Sequence, residues 1–228
     1  MRINHLSFTF DANEPAFFSN VCVDFEPHRV HFIQGDNGIG KSTLFSILQG
    51  TIPSTARVDL SVTLDGQPYN SITQHVQTVQ QQYDRMIAPQ FTFVENLQLA
   101  NLKTYPLLQS LPQEQLLTIA QNLSIDLHKP VSLLSGGQRQ LLAILMALQK
   151  STKVLLLDEP TATLDRKNAQ MIIECLQRIA RELKVTMLVI CHDHALIQQH
   201  TTCWYTIERG ANNARTITVC EWRPEIID

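Results

Sequence analysis

The chain has 228 residues, 44% of them apolar and 17% charged, with a net charge of −3 at neutral pH. That length supports one large or two small domains with a sizeable core, and the charge gives no broad basic face, so no nucleic-acid partner is expected. The longest apolar runs, "LLAILMAL" and "VLLL", are too short to span a bilayer, the N-terminus "MRINHLSFTF" carries no signal-peptide core, and the five cysteines form no C-x-x-C pair; direct membrane insertion, a disulfide framework and a zinc site are not expected.

"LSFTF" alternates Leu6, Phe8 and Phe10, and "VCVDF" alternates Val21, Val23 and Phe25, so both predict half-buried strands. "VHFI" is a short apolar strand that ends at a glycine-rich loop. "TLFSILQ" then has helical spacing, with Gly50 where a C-terminal cap belongs and Pro53 beyond it. "VDLSVTLDG" alternates Val58, Leu60, Val62 and Leu64 into an Asp65-Gly66 turn, the signal of a hairpin. From about 91 to 149 strand signals fade and leucines recur at helical spacing, with Ser110 and Gln113 as a capping-box pair. "KVLLLDEP" predicts a buried parallel strand, followed by a helix over about 166–183, a second apolar strand in "VTMLVICHD", and two strands about a Gly-Ala-Asn-Asn turn.

Three places carry chemistry. "GDNGIGKST" fits G-x-x-x-x-G-K-[ST] through Gly35, Gly40, Lys41 and Ser42, between a strand and a helix. Backbone N–H groups of residues 38–43 in such a loop wrap a β-phosphate, the lysine reaches the β- and γ-phosphates, and the hydroxyl ligates Mg²⁺. Asn37, Gly38 and Thr43 complete the expected nucleotide-contacting set. In "VLLLDEP", Asp158 ends an apolar strand where a carboxylate holds the Mg²⁺ shell, and Glu159 is placed to act as general base on water. His192 closes the next strand, on the edge where ligands bind open α/β sheets, with His194 as its rival.

"GDNGIGKST", "LSGGQ", "LLLDEP", "ATLD" and "CHD", in this order and spacing, resemble the nucleotide-binding domain of ABC ATPases. The resemblance covers essentially the whole chain and implies an α/β fold. It has a P-loop NTPase core with a mainly parallel sheet, an N-terminal antiparallel β-subdomain and an inserted α-helical subdomain. The expected organisation is one domain, 1–228, with the helical subdomain at about 82–150.

The resemblance further implies ATP and Mg²⁺ as ligands, and hydrolysis of ATP. In the family, two domains pack head to tail, and the loop of Ser135, Gly136, Gly137 and Gln138 serves the partner's nucleotide. A helix N-terminus behind such a loop is a suitable γ-phosphate cradle. An aromatic that stacks on adenine falls on Phe10 or Phe8, with Phe10 preferred. The Q-loop glutamine, which contacts Mg²⁺ and water, falls on Gln81, with Gln80 and Gln82 as neighbours. Asp165 is the expected D-loop aspartate. His28 stands where many members have glycine.

The implied partners are a second copy or a homologous ATP-binding subunit, and a transmembrane permease. The implied location is cytoplasmic, peripheral on the inner face of the cell membrane. The alternative is a soluble ABC ATPase of the iron–sulfur assembly type without a permease; no sustained heptads point to the coiled-coil ATPases. Cargo is read by the permease, so this chain does not encode it.

Overall fold

The computed structural model describes residues 1–69, 71–102, 113–122, 125–148, 152–210 and 213–221. In chain order the elements are β1 (Arg2–Thr9), β2 (Val23–Asp24), β3 (Val30–Gln34), α1 (Lys41–Gln49), β4 (Arg57–Leu64), β5 (Gln67–Tyr69), β6 (Val76–Val79), α2 (Phe93–Leu102), α3 (Gln113–Asn122), α4 (Gly136–Ala147), β7 (Val154–Asp158), α5 (Arg166–Glu182), β8 (Thr186–Ile190), α6 (His194–His200), β9 (Cys203–Arg209) and β10 (Arg215–Glu221).

The apolar tracts predicted as buried strands lie at the centre of a six-stranded sheet ordered β10-β9-β3-β8-β7-β6, parallel except for β10. Their side chains serve two cores, as a parallel sheet covered on both faces requires. Leu155, Leu157, Met187 and Val189 face α4 and α5, whereas Val154, Leu156, Leu188 and Ile190 face α1 and the second sheet. That second sheet, β2-β1-β4-β5, is antiparallel and holds the N-terminal segment. The architecture agrees with the expected fold class.

Local chemistry explains the boundaries. Helix α1 ends at Gly50, whose φ of 74° is left-handed; its N–H donates to the Ile47 carbonyl and the Thr51 N–H to Ser46. Asp65 and Gly66, with φ of 50° and 78°, make the expected tight turn between β4 and β5. His28 adopts φ 61°, and its N–H donates to Thr186 Oγ1 at 3.1 Å. The backbone there asks for a glycine-like conformation, and the histidine accepts a strain on the order of 1–2 kcal/mol to supply it.

Two expectations shift. "VCVDF" buries Val21, Val23 and Phe25 as its alternation predicts, yet pairs as a ladder over only two residues. Val58 is 43% exposed, so the alternation in β4 reports burial only from Val62 onward. The Ser110 half of the capping-box pair, and Ala211 and Asn212 of the last turn, lie outside the described residues. Among the described residues no helix is long and apolar enough to cross a membrane.

Candidate nucleotide site

Strands β3, β8, β7 and β6 are neighbours in that order and all parallel, so their carboxyl ends share one edge. Along that edge stand the glycine-rich loop after β3, His192 after β8, Asp158 and Glu159 at the end of β7, and Gln81 after β6. Residues separated by more than a hundred positions meet because parallel strands must all point the same way.

A notch of about 190 Å³ is lined by Asn37, Gly38, Gly40, Lys41, Ser42, Thr43, Asp158, Glu159 and His192. Its floor is the N-terminus of α1, which has no side-chain cap and no acidic residue in its first turn. Helices α4, α5 and α6 instead cap themselves with Ser135, Asp165 and Asp193. The leading N–H groups of α1 are therefore open to an anion, on the positive end of the helix dipole.

Lys41 is 8% exposed, and its Nζ donates to the Gly35 carbonyl at 2.7 Å and the Asp36 carbonyl at 3.0 Å. Burial pulls its pKa down while the charges of Glu159 and Asp158 pull it up. The Asp158 carboxyl is pushed up by burial, and then by Glu159 beside it. Two carboxylates share a desolvated corner with a single ammonium, a charge balance that a divalent cation beside Ser42 and Asp158 would relieve. The residues fit Mg²⁺ of the kind that keeps several waters and shares phosphate oxygens; among the described residues no cluster of His, Cys, Asp and Glu forms a metal cage by itself.

Glu159 has φ 50°, and its N–H donates to the Ile190 carbonyl at 3.1 Å. A left-handed glutamate is uncommon, and the turn aims its side chain along the sheet edge. One carboxylate oxygen lies 3.1 Å from His192 Nε2, and the other accepts from Gln81 Nε2 at 3.4 Å. Of the three neighbouring glutamines, Gln81 is thus the one seen hydrogen-bonded to Glu159 through its side chain. His194, the rival of His192, starts α6 and packs its ring on Trp204 with centroids 5.0 Å apart.

Phe8 is 1% exposed and belongs to the core, whereas Phe10 is 36% exposed. Phe10 meets Phe17 edge-on at 4.9 Å. Phe17, not singled out from the sequence, presses on the loop itself: a Cβ at Gly40, where φ is 123°, would lie 2.6 Å from its ring. A second aromatic a few residues after the first is the only sequence signal for that contact.

None of Ser135, Gly136, Gly137 or Gln138 lines the notch. Ser135 Oγ accepts from the Gln138 N–H at 3.3 Å, and Gln138 Oε1 accepts from the Ser135 N–H at 3.0 Å, a reciprocal capping box at the start of α4. Asp165 caps α5, accepting from the Asn168 N–H at 3.0 Å, and that bond holds its carboxyl low. The two helix starts lie together: a Cβ at Gly136 would sit 3.6 Å from Leu164, and one at Gly137 would sit 3.8 Å from Asn168.

The family profile described as ABC transporter matches residues 18–162. Over 217 residues the chain is 37% identical to a tyrosine transport ATP-binding protein of Clostridioides difficile, covering 86% of this chain and 84% of that one. It is 30% identical over 199 residues to the methionine import ATP-binding protein MetN of Escherichia coli, covering 84% of this chain and 57% of the relative. Against two longer putative ABC transporter ATP-binding proteins, from Vibrio parahaemolyticus and the onion yellows phytoplasma, it spans 35% and 37% of their length. The fold superposes on cbiO1 of Clostridium perfringens, part of a cbiONQ transporter complex, with a TM-score of 0.74 at 22% identity, covering 96% of this chain and 87% of that one.

Proposed function

Since the chain belongs to the ABC transporter family of ATP-binding proteins, we propose that it binds and hydrolyses ATP to power a membrane transporter, working as a head-to-tail dimer that encloses nucleotide at its interface. The whole chain acts as one cassette, with about 82–150 as the helical subdomain that carries the signature loop. The observation that carries this reading is the arrangement of Glu159 between His192 and Gln81, at 3.1 and 3.4 Å, on the same notch as Lys41 and Asp158.

The phosphates of ATP lie on the open N-terminus of α1, and Lys41 leaves the Gly35 and Asp36 carbonyls for the β- and γ-phosphates. Phe10 stacks on the base. Ser42 and Asp158, with Gln81 close by, would hold Mg²⁺, which would supply charge neutralisation at the phosphate oxygens. Glu159 takes a proton from the attacking water, oriented by His192, which also faces the γ-phosphate. Ser135, Gly136, Gly137 and Gln138 present N–H groups to the partner's γ-phosphate, and Asp165 meets the partner across the interface. ATP favours the closed dimer and hydrolysis releases it, a population shift by a ligand that binds the closed state better.

The second subunit is another copy or a homologue, and a permease places the chain at the cytoplasmic face of the membrane. The names of the two relatives, tyrosine transport and methionine import, favour an amino acid as cargo.

Calorimetric titration with Mg-ATP tests the nucleotide assignment. The parent binds, and Lys41→Ala binds more weakly by about 2–4 kcal/mol, the scale for removing one desolvated charge partner of a phosphate. Equal affinities would remove Lys41 from the site.

A further inference from the structure

A second cavity, of about 710 Å³, opens at the opposite edge of the parallel sheet from the notch. His28 stands shortly before β3, Lys153 just before β7 and Lys184 shortly before β8, and all three line it. The carboxyl ends of the same three strands lead to the glycine-rich loop, Glu159 and His192. The five residues of β7, at about 3.3 Å each, keep the two sites roughly 17 Å apart.

The wall of this cavity is cationic, although the chain carries a net charge of −3. Arg2, Lys153 and Lys184 line it against two carboxylates, Asp24 and Asp65. Asp65 is already engaged: one oxygen accepts from Lys153 Nζ at 2.8 Å, and the other lies 3.6 Å from His28 Nε2. The bond from Lys153 holds the Asp65 carboxyl low, so it stays charged and fixes both neighbours. Asp24 stands opposite Arg2 in the β1–β2 ladder without forming an ion pair. Among the described residues neither Arg2 nor Lys184 has an ion-pair partner.

Backbone strain gathers at the same place. Six non-glycine residues among the described ones have positive φ, and three of them, His28 at 61°, Asp65 at 50° and Lys184 at 54°, line this cavity. A tight turn asks for that conformation at Asp65 and a helix end at Lys184. Glycine would meet the demand at His28 and Lys184 without strain, yet both positions bring a nitrogen-bearing side chain to the cavity wall.

We propose that this cavity binds a small organic polyanion, a molecule with two or more carboxylate or phosphate groups, at a site separate from the nucleotide notch. Its volume is that of a metabolite pocket. Pro27 and Leu183 give apolar wall to a carbon body, and Arg2 and Lys184 meet its acidic groups. Lys153 and His28, held by Asp65, complete the cationic wall. The inference does not depend on what occupies the notch.

Calorimetric titration with citrate and with fructose 1,6-bisphosphate, without Mg²⁺ or nucleotide, tests the site, and the tighter of the two identifies the acidic group it prefers. The parent takes up at least one of them, more weakly as salt is raised. The double variant Arg2→Gln/Lys184→Gln, altered at two side chains without ion-pair partners, binds about tenfold or more weakly, the scale for lost hydrogen bonds to a charged group. His28→Gly melts no lower than the parent, because it relieves the left-handed backbone, and still binds the anion more weakly; a histidine there for the fold alone would leave binding unchanged. Lys41→Ala shows whether the anion has entered the notch instead. Uptake of neither anion by the parent overturns the proposal, as does uptake that Lys41→Ala abolishes or that the double variant keeps at the parent's affinity.

Discussion

Glu159 combines three properties that no residue type guarantees: a left-handed backbone, a position at a strand end and two side-chain partners. The base role proposed for it rests on them. With one oxygen engaged by His192 and the other by Gln81, the carboxylate is held in one orientation, as a general base must be. Glu159→Gln keeps the shape but cannot take a proton. It should bind ATP as the parent does and lose roughly 10²-fold or more of turnover, measured as phosphate release at saturating ATP; turnover at the parent rate would assign the base elsewhere. The residue scale also shows what a sequence can carry. The gathering of Lys41, Ser42 and Asp158 on one notch was legible because motif spacing fixes backbone geometry. The choice among Gln80, Gln81 and Gln82 was not legible, since three identical side chains differ only in where a loop aims them. Phe17 was not singled out because its contact is with a glycine, and a second aromatic seven residues after Phe10 is a weak signal by itself.

At the scale of elements, strong periodicity read true and short or polar segments did not. β7 and β8 stand where unbroken apolar runs predict them, and α5 where its helical pattern does. β6 is four residues long with Gln77 and Thr78 inside it; its strand identity comes from pairing with β7, which local sequence does not reveal. α6 has seven residues, too few for a clear period. The apolar run "LLAILMAL" in α4 is explained by burial of Leu141, Leu142, Ala143, Ile144 and Leu145 together, which anchors the loop at the start of the helix. The end of α1 allows a direct test of one such element. Gly50→Ala must place a methyl in a left-handed residue, 2.5 Å from Thr73 Cγ2. It should cost on the order of 1–2 kcal/mol, lowering Tm by roughly 2–8 °C for a chain of this size. Thermal melting checks this, and an unchanged Tm would mean that the helix ends differently.

For the whole molecule, the question posed by the architecture is why a second glycine-bearing helix start, at Ser135, stands outside the notch lined by Lys41, Ser42 and Asp158. The proposed dimer answers it by giving that loop the neighbour's nucleotide. In a two-fold assembly each chain then lends one loop and receives one, so a defect in the loop appears in association and leaves monomer affinity intact. Ser135→Arg places a long side chain where two backbones must close around one γ-phosphate, while Lys41 and Ser42 stay untouched. The most direct measurement is sedimentation velocity of Glu159→Gln and of the Glu159→Gln/Ser135→Arg double variant, each with ATP and with ADP. The account predicts that Glu159→Gln becomes dimeric with ATP only and that the double variant, although it still binds ATP, stays monomeric; a double variant that dimerises with ATP as readily as Glu159→Gln would contradict it.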